Sequence, residues 1–175
     1  MAKSILISTI ILLCTTVIES SLLSNISFLY VIPDLVLMCS IYFSLLNGRT
    51  IGQINGFISG VFLDFVTGLP FGFNCLYRTI IGYLFGLFSK NLIISGLLIP
   101  VVSVGIGTIA KTIFIQLINV FFPNVSIYVT GLISYNFLFE FIENIILAPV
   151  IFKFLSFFKK YLVIQTTQDK VNNVK

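Results

Sequence analysis

The side chains through which this chain could do chemistry are a few charges that interrupt otherwise apolar stretches: Asp64, Arg78, Lys111, Glu140 and Glu143. Charges at membrane depth are costly and are usually paired. Asp64 and Arg78 flank a short turn, Gly68-Leu69-Pro70-Phe71-Gly72, and are expected to pair across it and clamp a hairpin. Lys111 lies in the middle of a later apolar stretch. Glu140 and Glu143 are three positions apart and so are neighbours on a helix surface. Lys111 is expected to pair with one of them. The acid left over is a candidate proton or ligand site. Gln116, Asn119, Asn136 and Asn144 are placed to complete a polar network or to line a small cavity.

Other chemistries find no support. The chain has no His, which excludes imidazole general-base catalysis and His-ligated metal sites. Cys14, Cys39 and Cys75 have no metal-type spacing, and an odd number does not suggest a disulfide framework. They read as small apolar residues. There is no phosphate-cradling loop, no Gly-x-Ser-x-Gly elbow and no carboxylate cluster with metal spacing. The basic residues do not form a long run with interleaved aromatics, so no nucleic-acid partner is expected. No catalysis, no cofactor and no metal are expected.

The elements that must carry these residues follow from composition. Hydrophobic residues make up 58% of the 175 positions and charged residues 9%, with a net charge of +4. The mean hydropathy is +1.11. Soluble domains carry roughly 25% charged residues, so lipid is the expected solvent for much of this chain. In lipid every backbone polar group needs an internal partner, and the long unalternating apolar runs favour helices over a barrel. The fold class expected is an all-α membrane protein, a bundle of about six transmembrane helices forming one domain over about 1–164. The spans are placed at about 4–24, 26–46, 51–67, 74–90, 95–121 and 128–158, and a polar tail over 165–175 reads as disordered. The first span, although Lys3 precedes its apolar run, lacks a small-x-small cleavage pattern and reads as retained rather than as a signal peptide.

The second span contains Pro33, which resists a helix interior. From Asp34 to Leu46 the helix would be about 20 Å long, short for a hydrocarbon core of about 30 Å. Either residues 26–32 form a non-helical lead-in or the helix kinks at Pro33. Both place Asp34 toward the extracytoplasmic side, as a helix N-cap.

Lys and Arg fall in alternate connections. Lys3, Arg49, Lys90, Lys153, Lys159, Lys160, Lys170 and Lys175 lie on one side of the six expected spans. The connections at about 24–33, 68–73 and 122–127 contain neither residue. Cytoplasmic loops are enriched in these residues, which puts both termini in the cytoplasm of a multi-pass protein. Lys159 and Lys160 are also placed to meet anionic headgroups.

Gly48, Gly52, Gly56, Gly60, Asp64 and Gly68 recur every four residues, and Gly82 and Gly86 repeat the spacing in the next span. On a helix this spacing makes one continuous ridge. Small residues let two helix backbones approach closely in a membrane. The ridge therefore serves packing inside the bundle, docking of another protein's helix, or both.

The ordered series Pro33-Asp34-Leu35, Tyr42, the glycines from Gly48 to Gly60, Leu63-Asp64, Gly68-x-Pro70-x-Gly72, Leu76, Ile81-Gly82-Tyr83-Leu84 and Gly86 resembles the rod shape-determining MreD family. The resemblance covers about residues 33–86 and does not extend to Asn74 or Arg78, so the Asp64–Arg78 pair rests on the residues alone. It implies a non-catalytic protein of the bacterial inner membrane, part of the elongation machinery that builds lateral peptidoglycan. The implied partner is the single-span periplasmic scaffold protein MreC, with indirect links to MreB, RodA and penicillin-binding protein 2. It also implies a fold similar to the substrate-binding S-components of energy-coupling-factor vitamin transporters. A vitamin-binding transporter subunit is therefore the alternative function. That reading predicts a polar and aromatic cavity in the extracytoplasmic half and a small-residue groove on the first span, whereas residues 5–18 are mostly bulky. A lipid or wall-precursor carrier would need a large hydrophilic groove, for which the chain has few charges.

Overall fold

A computed structural model describes residues 2–22, 31–89, 96–122 and 131–163. Lys90, Lys170, Lys175, the tail over 165–175 and the lead-in over 26–30 lie outside these residues. The elements are helical: α1 (Ala2–Val17), continued by a π-helical turn over Ile18–Leu22; α2 (Leu35–Asn47); α3 (Arg49–Thr67); α4 (Phe73–Leu87); α5 (Leu98–Phe121); α6 (Tyr135–Phe157); and a short α7 (Lys159–Leu162). No strand occurs among the described residues. Lys3–Ser21 and Leu98–Phe121 are long and apolar enough to cross a membrane.

At the centre stands α2. Val36 to Leu45 are buried without interruption, as expected of a helix that is apolar on every side. Tyr42 meets Phe152 of α6 edge-on at 5.2 Å, and Gly107 of α5 faces Ile41 of α2 and Phe85 of α4. Residues 31–34 are non-helical and α2 begins at Leu35, so Pro33 sits before the helix and no kink forms there. The helix has 13 residues, about 20 Å at a rise of 1.5 Å each, so its N-terminus is left inside the bundle.

The glycine ridge explains the α3–α4 hairpin. A Cβ added at Gly52 would strike the carbonyl oxygen of Gly82, one at Gly56 the carbonyl of Arg78, and one at Gly60 the backbone of Cys75. From the other helix, a Cβ at Gly82 would strike the Gly52 carbonyl and one at Gly86 the backbone of Arg49. The two backbones touch along their whole antiparallel length, an approach only glycine permits. The ridge is thus filled from within the chain, and with α4 in place the same face cannot take a partner's helix. Gly48 and Gly68 continue the spacing into turns: Gly48 still lies against Gly86 and Ser89, whereas a Cβ at Gly68 would meet nothing. Gly48 (φ 89°) joins α2 to α3, and Gly68 (φ 66°) and Gly72 (φ 98°) bound the hairpin turn in the left-handed region. Pro70 lies in that turn, and its carbonyl accepts from the Phe73 amide at 3.1 Å.

One end of the bundle gathers basic residues. Ser4 Oγ donates to the carbonyl of Leu162, and Ser8 Oγ donates to Asn55 Oδ1 at 2.9 Å. The start of α1, the start of α3 and α7 therefore lie together, bringing Lys3, Arg49, Lys159 and Lys160 to that end. The Gly68–Gly72 turn is at the other.

Candidate functional site: a buried charge cluster at the start of α2

A helix beginning inside a bundle must satisfy its first amides without water. Leu37 N donates to Asp34 Oδ1 at 2.7 Å, and Val36 N donates to Glu19 Oε2 at 3.1 Å. Two carboxylates from different elements thus face the positive end of the α2 dipole. Glu19 reaches it from the π-helical turn that ends α1.

Asp34 is the centre of the cluster. Arg78 Nη2, from α4, donates to Asp34 Oδ1 at 2.9 Å and to Oδ2 at 2.8 Å. Lys111 Nζ, from α5, donates to Asp34 Oδ2 at 2.8 Å and to Glu140 Oε1 of α6 at 2.5 Å. The Asp34 amide donates to Asn144 Oδ1 at 2.9 Å, and Asn144 Nδ2 donates to Thr108 Oγ1 at 3.0 Å. The side chains of Asp34 and Arg78 are each only 3% exposed. Every long helix but α3 places a polar group in or against the cluster, and α3 supports Arg78 through the close approach at Gly56.

This arrangement corrects the expected Asp64–Arg78 pair. Arg78 turns inward to Asp34, and Asp64 serves its own hairpin. Asp64 Oδ2 accepts from Gly72 N, and Oδ1 accepts from the amide and side-chain nitrogens of Asn74, all at 2.9 Å. The α3 carboxylate therefore caps α4, where anionic groups are favoured. Asn74 Oδ1 in turn accepts from Tyr77 Oη at 2.7 Å, and the Arg78 guanidinium lies 5.5 Å from the Tyr77 ring centroid.

Of the two acids considered for Lys111, Glu140 forms the contact. Glu143 lies half-exposed outside the cluster, and its Oε2 is enclosed without a donor. Tyr83 is half-buried on α4. Sequence reasoning missed Glu19. An acid closing an apolar span is an available signal, but its aim depends on the π turn, which composition does not reveal.

The cluster pairs cations with anions and caps a helix. No side chain in it faces an opposed nucleophile and base, and no group of three or more potential metal ligands occurs among the described residues. The described cavities lie elsewhere. An apolar groove of about 490 Å³ between α4 and α5 is lined by Leu84, Phe88, Val102 and Ile106 among others, and a space of about 360 Å³ lies beside Pro100, Pro149 and Lys153.

The sequence matches, over residues 2–158, the family described as rod shape-determining protein MreD. Neither a curated protein nor a solved structure matches it.

Proposed function

The chain belongs to the rod shape-determining protein MreD family, and from that premise we propose that it is a non-catalytic, multi-pass scaffold of the bacterial inner membrane. It acts in the elongation machinery, holding an MreC-type single-span periplasmic scaffold protein and, through it, the wall synthases RodA and penicillin-binding protein 2 and the MreB filament. Both termini lie in the cytoplasm. The gathering of Lys3, Arg49, Lys159 and Lys160 at one end of the bundle supports that orientation, in which the Asp34 cluster lies in the extracytoplasmic half.

The observation that carries the scaffold reading is the mutual pairing of Asp34, Arg78, Lys111 and Glu140. These charges hold four helices in register, as a rigid platform requires, and engage one another rather than a substrate. The alternative, a vitamin-binding subunit with a fold like the S-components of energy-coupling-factor transporters, would direct polar groups of this half toward a ligand.

Replacing the native gene in a rod-shaped host tests the proposal. The intact chain should restore a uniform cell width, and Asp34→Ala should give rounded cells. Restoration of rod shape by a stably inserted Asp34→Ala chain would remove the cluster from the scaffold's function.

A further inference from the structure

Between the start of α5 and the last turns of α6 the bundle does not close. Pro100 lies in the first turn of α5 and Pro149 inside α6. Beside them is the recess of about 360 Å³, walled by Leu97, Pro100, Pro149 and Phe152 together with Lys153 and Ser156. Lys153 is exposed, and no ion pair holds it among the described residues. Ser156 Oγ donates to the Lys153 carbonyl at 2.6 Å, which leaves the ammonium as the cation of the recess. No acid lines it.

Its depth follows from helix geometry. Lys153 is about 27 Å along α6 from Tyr135 at 1.5 Å per residue, close to the full thickness of a hydrocarbon core of about 30 Å. A lysine so placed carries its ammonium to the level of the lipid headgroups. From Asn144 to Val163 the chain has three lysines, Lys153, Lys159 and Lys160, and no acid, so the potential at this end is positive. Leu97 is 71% exposed, and Phe157, beside Ser156, is 74% exposed, so the recess opens toward lipid rather than into the bundle.

We propose that this recess binds an anionic phospholipid of the cytoplasmic leaflet. The headgroup phosphate meets the Lys153 ammonium, and the glycerol and first methylenes cover Leu97, Pro100 and Pro149. Basic pockets between transmembrane helices on the cytoplasmic side hold such headgroups. A free phosphate would match the lysine but not the apolar walls, and a zwitterionic lipid has no net charge to match the lysine. The assignment to that leaflet rests on the orientation given above. Binding measured in detergent does not depend on orientation or on any protein partner, so its failure is separate from theirs.

The test offers the purified chain, in mild detergent, an equimolar mixture of phosphatidylglycerol and phosphatidylcholine with identical acyl chains, and counts the lipids that stay bound by native mass spectrometry. Phosphatidylglycerol should be enriched. Lys153→Gln should lower the enrichment roughly fivefold, the scale of one lysine at an anionic surface, and Lys153→Arg should keep it. Lys3→Gln, which removes a charge from the same end but not from the recess, should change it little. Leu97→Trp, which narrows the recess at constant charge, should lower it. Equal retention of the two lipids by the unsubstituted chain, or enrichment that survives both Lys153→Gln and Leu97→Trp, would overturn the site. An equal loss in Lys3→Gln would also overturn it, by showing a diffuse attraction to the whole basic end.

Discussion

A single nitrogen of Arg78 binds both carboxylate oxygens of Asp34, across 44 positions of sequence, where neither side chain is more than 3% exposed. The contact ties the N-terminus of the central helix to α4. Because Lys111 shares the same carboxylate, Asp34 balances two cations at once.

Asp34→Ala should be the most damaging single substitution in the cluster. It removes the cap on Leu37 and leaves Arg78 and Lys111 buried with one acid fewer. Removing one partner of a buried pair costs roughly 3–5 kcal/mol. Thermal unfolding in detergent should show a large loss, with Asp34→Asn, which keeps a capping oxygen, falling between. Equal stability for Ala and the native residue would remove Asp34 from the centre of the cluster.

Glu19→Ala should cost about 1–3 kcal/mol, since it strips the acceptor from a buried amide. Glu19→Gln, which retains an acceptor oxygen for Val36, should cost less. Hydrogen exchange at the start of α2 reads the effect directly: faster exchange of the Val36 amide is expected in the alanine variant, and unchanged exchange would contradict the contact.

The glycines should separate into two classes. Gly56→Ala places a Cβ against the Arg78 carbonyl, and both backbones would have to move. Overpacking of this kind costs roughly 1–3 kcal/mol or more. Gly68→Ala meets nothing within 4 Å and carries only the left-handed strain of about 1–2 kcal/mol. Unfolding temperatures should rank Gly56→Ala below Gly68→Ala, and Gly56→Leu lower still. The reverse order would mean that the α3–α4 backbones are not in contact.

How much of this was legible beforehand depended on the range of each interaction. The four-residue glycine spacing is a local periodicity, and it points to the ridge that α4 covers. It overreaches at Gly68, where the same spacing continues into the hairpin turn and a Cβ would meet nothing. Lys111 with an acid of α6 was readable because few charges interrupt the apolar helices and they must find one another. The partner of Arg78 was not. Asp64 is nearer in sequence, and only the short, inset α2 brings Asp34 within reach. Asp34 showed its capping role in the Pro-Asp-Leu sequence but not its second role, because capping is local and pairing depends on how five helices pack.

Orientation is open to a direct check. In a background without Cys14, Cys39 and Cys75, Phe71→Cys at the hairpin turn should react with a membrane-impermeant thiol reagent added to intact, outer-membrane-permeabilised cells. Ser156→Cys, near the basic end, should react only once the inner membrane is opened. Exchange of the two patterns would invert the topology and move the Asp34 cluster to the cytoplasmic half.

If the chain is a scaffold whose charges hold its own helices, what leaves the membrane with it should be protein and not ligand. The tagged chain is extracted from native membranes in mild detergent, and the polypeptides and small molecules that accompany it are identified. A single-span periplasmic scaffold protein together with wall synthases, and no stoichiometric small ligand, is the expected result. Recovery of ATPase subunits with a bound vitamin would contradict it, and would recast Lys111, Glu140 and Glu143 as candidates for holding that ligand.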